Sequence, residues 1–150
     1  MRKGIPFGEI IDNSFYNKTA KQLKILGKCL TDSNFLLEGK VVVSVMTAED
    51  METFQAKSSD LDGIIDQLRT TEGVEVAILL SERVPGEFKV SMRSNKLVDV
   101  ASIGQHYGGG GHIKASGCTI QGTADEVIDK LVDKIRLQLG EDTEDEDDDD

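Results

Sequence analysis

Phe88-Lys89-Val90-Ser91-Met92-Arg93 is the stretch that decides the fold of this 150-residue chain. Apolar Phe88, Val90 and Met92 alternate strictly with polar Lys89, Ser91 and Arg93. A period of two predicts a strand with one face on a core and the other toward water. Its neighbours read differently. Val41-Val42-Val43-Ser44-Val45-Met46 and the segment Val74 to Leu80 are almost unbroken apolar runs, the pattern of strands covered on both faces. Pro85-Gly86 marks a turn before the alternating strand, and Cys118-Thr119-Ile120-Gln121 reads as a further short strand.

Helical signals lie between these strands. Ser14 to Leu30 carries Tyr16, Ala20, Leu23, Leu26 and Leu30 at three- and four-residue steps, with Asp12, Asn13 or Ser14 as possible caps. Thr31 to Asn34 reads as a connector. Thr47 and Asp50 fit a capping box for a short helix. Leu61, Ile64, Ile65 and Leu68 form one apolar stripe, which Gly73 would end. Asp99 caps a short helix through Val100 and Ile103 that stops at Gly108. Thr123 and Glu126 open a closing helix with Val127, Ile128, Leu131, Ile135 and Leu139 on one face. The expected class is α/β, a small mixed, partly antiparallel sheet with helices packed on it.

The formal net charge is −11, which on average argues against a phosphate-rich partner. The charge is unevenly placed. Residues Glu141 to Asp150 hold nine acids and no base, so Met1 to Gly140 carries only −2. That acidic run has no apolar residue and is expected to be a disordered tail. No apolar run approaches the ~20 residues of a membrane span, and no secretory leader is legible. Cys29 and Cys118 lie far apart without metal spacing, which suits a reduced cytoplasmic setting.

One segment is locally basic. Lys89 to Cys118 holds Lys89, Arg93, Lys96 and Lys114 against Asp99 alone, a net +3 with His106 and His112 in addition. Within it runs Gly108-Gly109-Gly110-Gly111-His112. Four glycines in a row are entropically costly. They suit either a tight backbone crossing or a nest of amides that cradles an anion. A helical turn over Ile113 to Ser116 would aim further amides the same way. Arg93 has a planar fork suited to phosphate, and His112 can donate from the end of the loop. His106 reads as an ordinary helix side chain, Tyr107 as a packing or base-stacking ring, and Cys118 as a small strand residue. Asp60 and Asp62 read as acids at a helix start rather than metal ligands.

Ser91-Met92-Arg93-Ser94, Val98-Asp99-Val100, and Gly108 to His112 followed by Ala115-Ser116-Gly117 together resemble the C-terminal DHHA1 domain of DHH-family phosphoesterases. The likeness is greatest to the bifunctional oligoribonucleases and 3′-phosphoadenosine 5′-phosphate (pAp) phosphatases. It extends to Leu61 through Ile65, Gly73 through Ala77, and Phe15-Tyr16 through Leu26-Gly27. The resemblance implies a substrate-gripping domain in which Arg93 and His112 hold phosphate oxygens, Gly109, Gly110 and Gly111 supply backbone donors, and Ala115 and Gly117 allow close packing. It also implies two manganese ions, carried not by this chain but by a separate Asp-His-His domain that activates water. No Asp-His-His occurs in these residues.

The expected layout is therefore a helix and linker over residues 1–34 resembling the end of such a catalytic domain. A substrate-binding domain over 35–140 and the tail over 141–150 complete it. Expected partners are a short oligonucleotide or nucleotide phosphate and the absent catalytic half, in cis or in trans. The intact family suggests dimers. The chain alone is expected to be inactive, as a fragment, a split protein or an excised domain. A stand-alone nucleic-acid-binding module is the alternative reading, and a self-associating relic a third.

Overall fold

The computed structural model describes residues 18–140. Six strands form one sheet: β1 (Asn34–Leu36), β2 (Val41–Met46), β3 (Val76–Val84), β4 (Glu87–Ser94), β5 (Gly110–His112) and β6 (Ala115–Gln121). Their order across the sheet is β1-β2-β3-β4-β6-β5. Only β2 and β3 are parallel, and every other neighbouring pair is antiparallel. The parallel pair needs a crossover. It is made by α2 (Ala48–Thr53), a 3₁₀ turn (Ser58–Leu61) and α3 (Ile64–Arg69). The remaining helices are α1 (Ala20–Thr31) before the sheet, α4 (Val100–His106) between β4 and β5, and α5 (Ala124–Leu139) at the end. This is the mixed α/β architecture that the strand patterns predict.

The strands sort their side chains onto two layers. Val76, Ile78 and Leu80 of β3, with Phe88, Val90 and Met92 of β4, pack on one face against Val100 and Ile103 of α4 and Val127, Leu131 and Ile135 of α5. Val42 and Met46 of β2, with Ala77 and Leu79 of β3, pack on the other face against Ile25 and Cys29 of α1 and Ile64, Ile65 and Leu68 of α3. On this second face the helices cover β2 and β3 and only partly screen the polar side of β4. Lys89 is exposed, and Ser91 and Arg93 are half-buried.

Capping explains where the helices start. The Thr19 hydroxyl accepts from the Gln22 amide, and the Gln22 side-chain oxygen accepts from the Thr19 amide in return. Thr47 with Asp50, and Thr123 with Glu126, close the same reciprocal boxes as expected. Asp99 accepts from the Ser102 amide to start α4.

Several expectations are corrected. The first helix begins at Ala20, not Ser14, because Thr19 takes the extended cap conformation; Asp12 to Tyr16 lie outside the described residues. Its buried side chains are Ile25 and Cys29, while Leu23 is 56% and Leu30 40% exposed. The sequence carries two overlapping helical stripes, and packing selects the one with the cysteine. Leu61 to Leu68 is not one helix either. Gly63 adopts φ +86°, which splits it into the 3₁₀ turn and α3, although all four apolar residues are buried together. The helix ends at Arg69, so Gly73 (φ +87°) turns the chain into β3 rather than capping α3. Finally, Ile113 to Ser116 is no helical turn. Ile113 and Lys114 form the tip of a β5–β6 hairpin, and Ala115 already belongs to β6. The expected tail, residues 141–150, lies outside the described residues.

Candidate phosphate-binding face

The uncovered half of the sheet brings the basic segment together. Registry places Arg93 of β4 opposite Ala115 of β6, and Ala115 opposite His112 of β5. Residues directly opposite in neighbouring strands share a face. Arg93 and His112 therefore stand on the same side, separated by one alanine and about 10 Å, two strand spacings. The next row is Ser91, Gly117 and Gly110, and the row beyond pairs Lys89 with Thr119. The floor between the arginine and the histidine thus consists of Ala115, Gly117 and Gly110. No long side chain rises from it, so a ligand can approach the backbone itself.

The glycine run is a strand and its lead-in rather than a phosphate nest. The Gly108 and Gly109 amides are already donated to the carbonyls of Gln105 and Gly104, at 3.0 and 2.8 Å. Gly109 is glycine for close packing: a Cβ there would overlap the Gly117 carbonyl oxygen and lie 2.8 Å from the Cys118 Cα. Gly111, at φ +149°, would place a Cβ 2.5 Å from the Ala115 carbonyl oxygen. Gly110 differs, with nothing nearer than the Gln105 Cγ at 4.0 Å. It lies on edge strand β5, where alternate backbone groups have no sheet partner. Backbone donation to a ligand is thus closed to Gly108 and Gly109.

Arg93 is half-buried and anchors one guanidinium nitrogen on the Met92 carbonyl oxygen at 2.9 Å. It makes no ion pair among the described residues, so most of its five N–H donors have no partner among them. His112 is exposed at the end of β5, and Lys89 is exposed at the far end of the face. Lys96 diverges. It sits in the loop after β4, whose Lys96, Leu97 and Val98 amides converge on the Glu75 carboxylate at 3.1, 2.6 and 2.9 Å. His106 packs edge-on against Tyr107, with ring centroids 4.7 Å apart. Cys118 lies on the covered face, where burial pushes its thiol up to about 11, far from a nucleophile's range.

Asp60 is not a metal ligand here. It accepts the Lys57 amide at 2.9 Å, meets the Lys21 ammonium at 3.1 Å, and takes a bond from Gln22. The Lys57 amide bond, with help from Lys21, holds its carboxyl below the usual range. No group of three or more His, Cys, Asp or Glu side chains among the described residues could hold a metal ion. The structure also shows a cleft of about 290 Å³ that the sequence does not reveal, between the polar side of β4 and the start of α3. Arg93 stands on its edge, whereas His112 and the glycines do not line it. No helix among the described residues is long and apolar enough to cross a membrane.

Comparison with known proteins identifies the fold. Over 137 residues, 91% of its length, the chain is 28% identical to the bifunctional oligoribonuclease and PAP phosphatase NrnA of Thermus thermophilus. It spans 40% of that protein's length. An exopolyphosphatase-related protein from Bacteroides fragilis superposes with a TM-score of 0.76 at 22% identity, over 93% of this chain and 40% of that one. The pGpG-specific phosphodiesterase PggH of Vibrio cholerae superposes with a TM-score of 0.59 at 15% identity, over 79% of this chain and 40% of that one. These last two likenesses establish the fold. Residues 38–141 match the DHHA1 domain, and on that match the chain belongs to the DHHA1 domain family, a domain associated with phosphoesterases.

Proposed function

We propose that this chain grips phosphate-bearing substrate for a manganese-dependent phosphoesterase acting on short oligoribonucleotides or pAp. The observation that carries the reading is the shared row of Arg93, Ala115 and His112 on the uncovered half of the sheet. Arg93 offers a planar fork to phosphate oxygens, and His112 donates from the opposite side. The small residues between them keep the approach open. The likeness to NrnA supports the substrate class. The hydrolytic chemistry would come from two manganese ions on a separate Asp-His-His domain. The residues described here do not fit such a centre, and their task is to bind and orient.

Fluorescence anisotropy with 5′-phosphorylated oligoribonucleotides of two to five units tests the proposal. The full chain should bind them without hydrolysis when manganese is added. Arg93→Ala and His112→Ala should each weaken binding by about tenfold, the effect of one charge-assisted hydrogen bond. Unchanged affinity in both variants would overturn the site. Tight binding of long strands with a steep salt dependence would instead indicate a stand-alone nucleic-acid module.

A further inference from the structure

The cleft beside Arg93 has a chemistry unlike that of the phosphate row. Leu79 and Ser81 of β3 line it together with Lys89 and Ser91 of β4. Asp62 and Asp66 form the opposite wall. Ser81 is only 7% exposed, and its side chain makes no hydrogen bond to the described residues. The sealed side-chain atom without a partner among the described residues is Ser94 Oγ; Ser81 instead lines the cleft, where a ligand or water can reach its hydroxyl. Asp66 makes only a loose contact with Arg69 on its own helix, 3.8 Å, and is itself well exposed.

We infer that this cleft receives the ribose of the nucleotide whose phosphate Arg93 holds, with Ser81 and Asp66 reading its hydroxyl groups. The inference rests on the phosphate role proposed for Arg93. Asp62 and Asp66 offset the cations Lys89 and Arg93 on the same lining, and a carboxylate there accepts hydrogen bonds from a sugar diol. Apolar Leu79 suits the hydrophobic side of the sugar or base. The placement fits a single nucleotide. Ala77 pairs with Arg93, Leu79 with Ser91, and Ser81 with Lys89, so the cleft runs along β4 away from the guanidinium. Each of those two-residue steps is about 6.8 Å. The 2′-hydroxyl distinguishes RNA from DNA at such a site.

The test maps amide chemical shifts of the full chain during titration with AMP and with 2′-deoxy-AMP, in the wild type and in Ser81→Ala, Asp66→Asn and Arg93→Ala. AMP should shift Leu79, Ser81 and Ser91 and bind about tenfold more tightly than its deoxy counterpart. Ser81→Ala and Asp66→Asn should bring that ratio toward one, weakening AMP binding more than deoxy-AMP binding. Shifts confined to the Arg93–His112 row, with equal affinity for the two nucleotides, would overturn the ribose site and leave the phosphate site standing. Cleft shifts indifferent to Arg93→Ala would refute the phosphate role and leave the cleft as a nucleoside site. Absence of shifts with either nucleotide at millimolar concentration would overturn both.

Discussion

Substituting the glycines one at a time separates close packing from ligand binding. At Gly109, an added methyl meets the Gly117 carbonyl oxygen, the Cys118 Cα at 2.8 Å and its Cβ at 2.9 Å. Two of these are backbone atoms of the neighbouring strand, which cannot swing aside as a flexible side chain would. Overpacking costs about 1–3 kcal/mol, and a rigid obstacle places Gly109→Ala near the upper end. At roughly 4 °C per kcal/mol for a domain of this size, Tm should fall by about 8–12 °C. Gly110→Ala has room, with nothing nearer than 4.0 Å, and its φ is not positive. Restricting the unfolded chain should leave it neutral or stabilise it by up to about 1 kcal/mol. Urea unfolding followed by circular dichroism measures both. Gly109→Ala within about 0.5 kcal/mol of wild type, or Gly110→Ala equally damaging, would refute the assignment of the run to a tightly packed lead-in and strand.

Other substitutions test the packing and charges. Ile25→Ala should cost about 2–4 kcal/mol in the same urea assay and Leu23→Ala less than about 0.5, since Ile25 is fully buried and Leu23 is exposed. Glu75→Ala should cost about 2–4 kcal/mol, because three loop amides lose their shared acceptor, with the shift in urea midpoint as the measure. Burial pushes the Asp50 carboxyl up, but bonds from Lys28 at 2.8 Å and from the Thr47 amide outweigh it and hold it below the usual range. A depressed folded value means stability present above about pH 4 and lost as pH falls through the folded value; Asp50→Asn should flatten that part of a pH-dependent melting series. Iodoacetamide at pH 7.5 should leave both buried cysteines unmodified in the native chain and alkylate both in urea, as read by mass spectrometry.

Much of the fold was legible because its decisive signals are local. Strict alternation in β4 and the three Thr-led capping boxes depend only on neighbours in sequence. Two of those boxes, at Thr47 and Thr123, could be read directly. The third, at Thr19, was hidden beneath a longer apolar repeat. The buried stripe of α1 was illegible for another reason: Leu23, Leu26 and Leu30 look as apolar as Ile25 and Cys29, and only contact with β2 and α3 decides between them. Glycines carry no side-chain period, so Gly108 to Gly111 could not declare itself a strand. Arg93 and His112 were identifiable as chemistry, but their common row depends on β6 inserting between β4 and β5. Ser81 gave no signal at all, since its place on the cleft arises from a pairing of β3 with β4 and a wall supplied by α3.

The most direct measurement of the central claim is a crystal structure of the full chain grown with pAp. The account predicts a phosphate lying over the Ala115–Gly117 floor, within hydrogen-bonding distance of both the Arg93 guanidinium and the His112 ring. A phosphate held elsewhere, for example beside Lys96 and Arg69 beyond the end of β4, with Arg93 and His112 untouched, would contradict it.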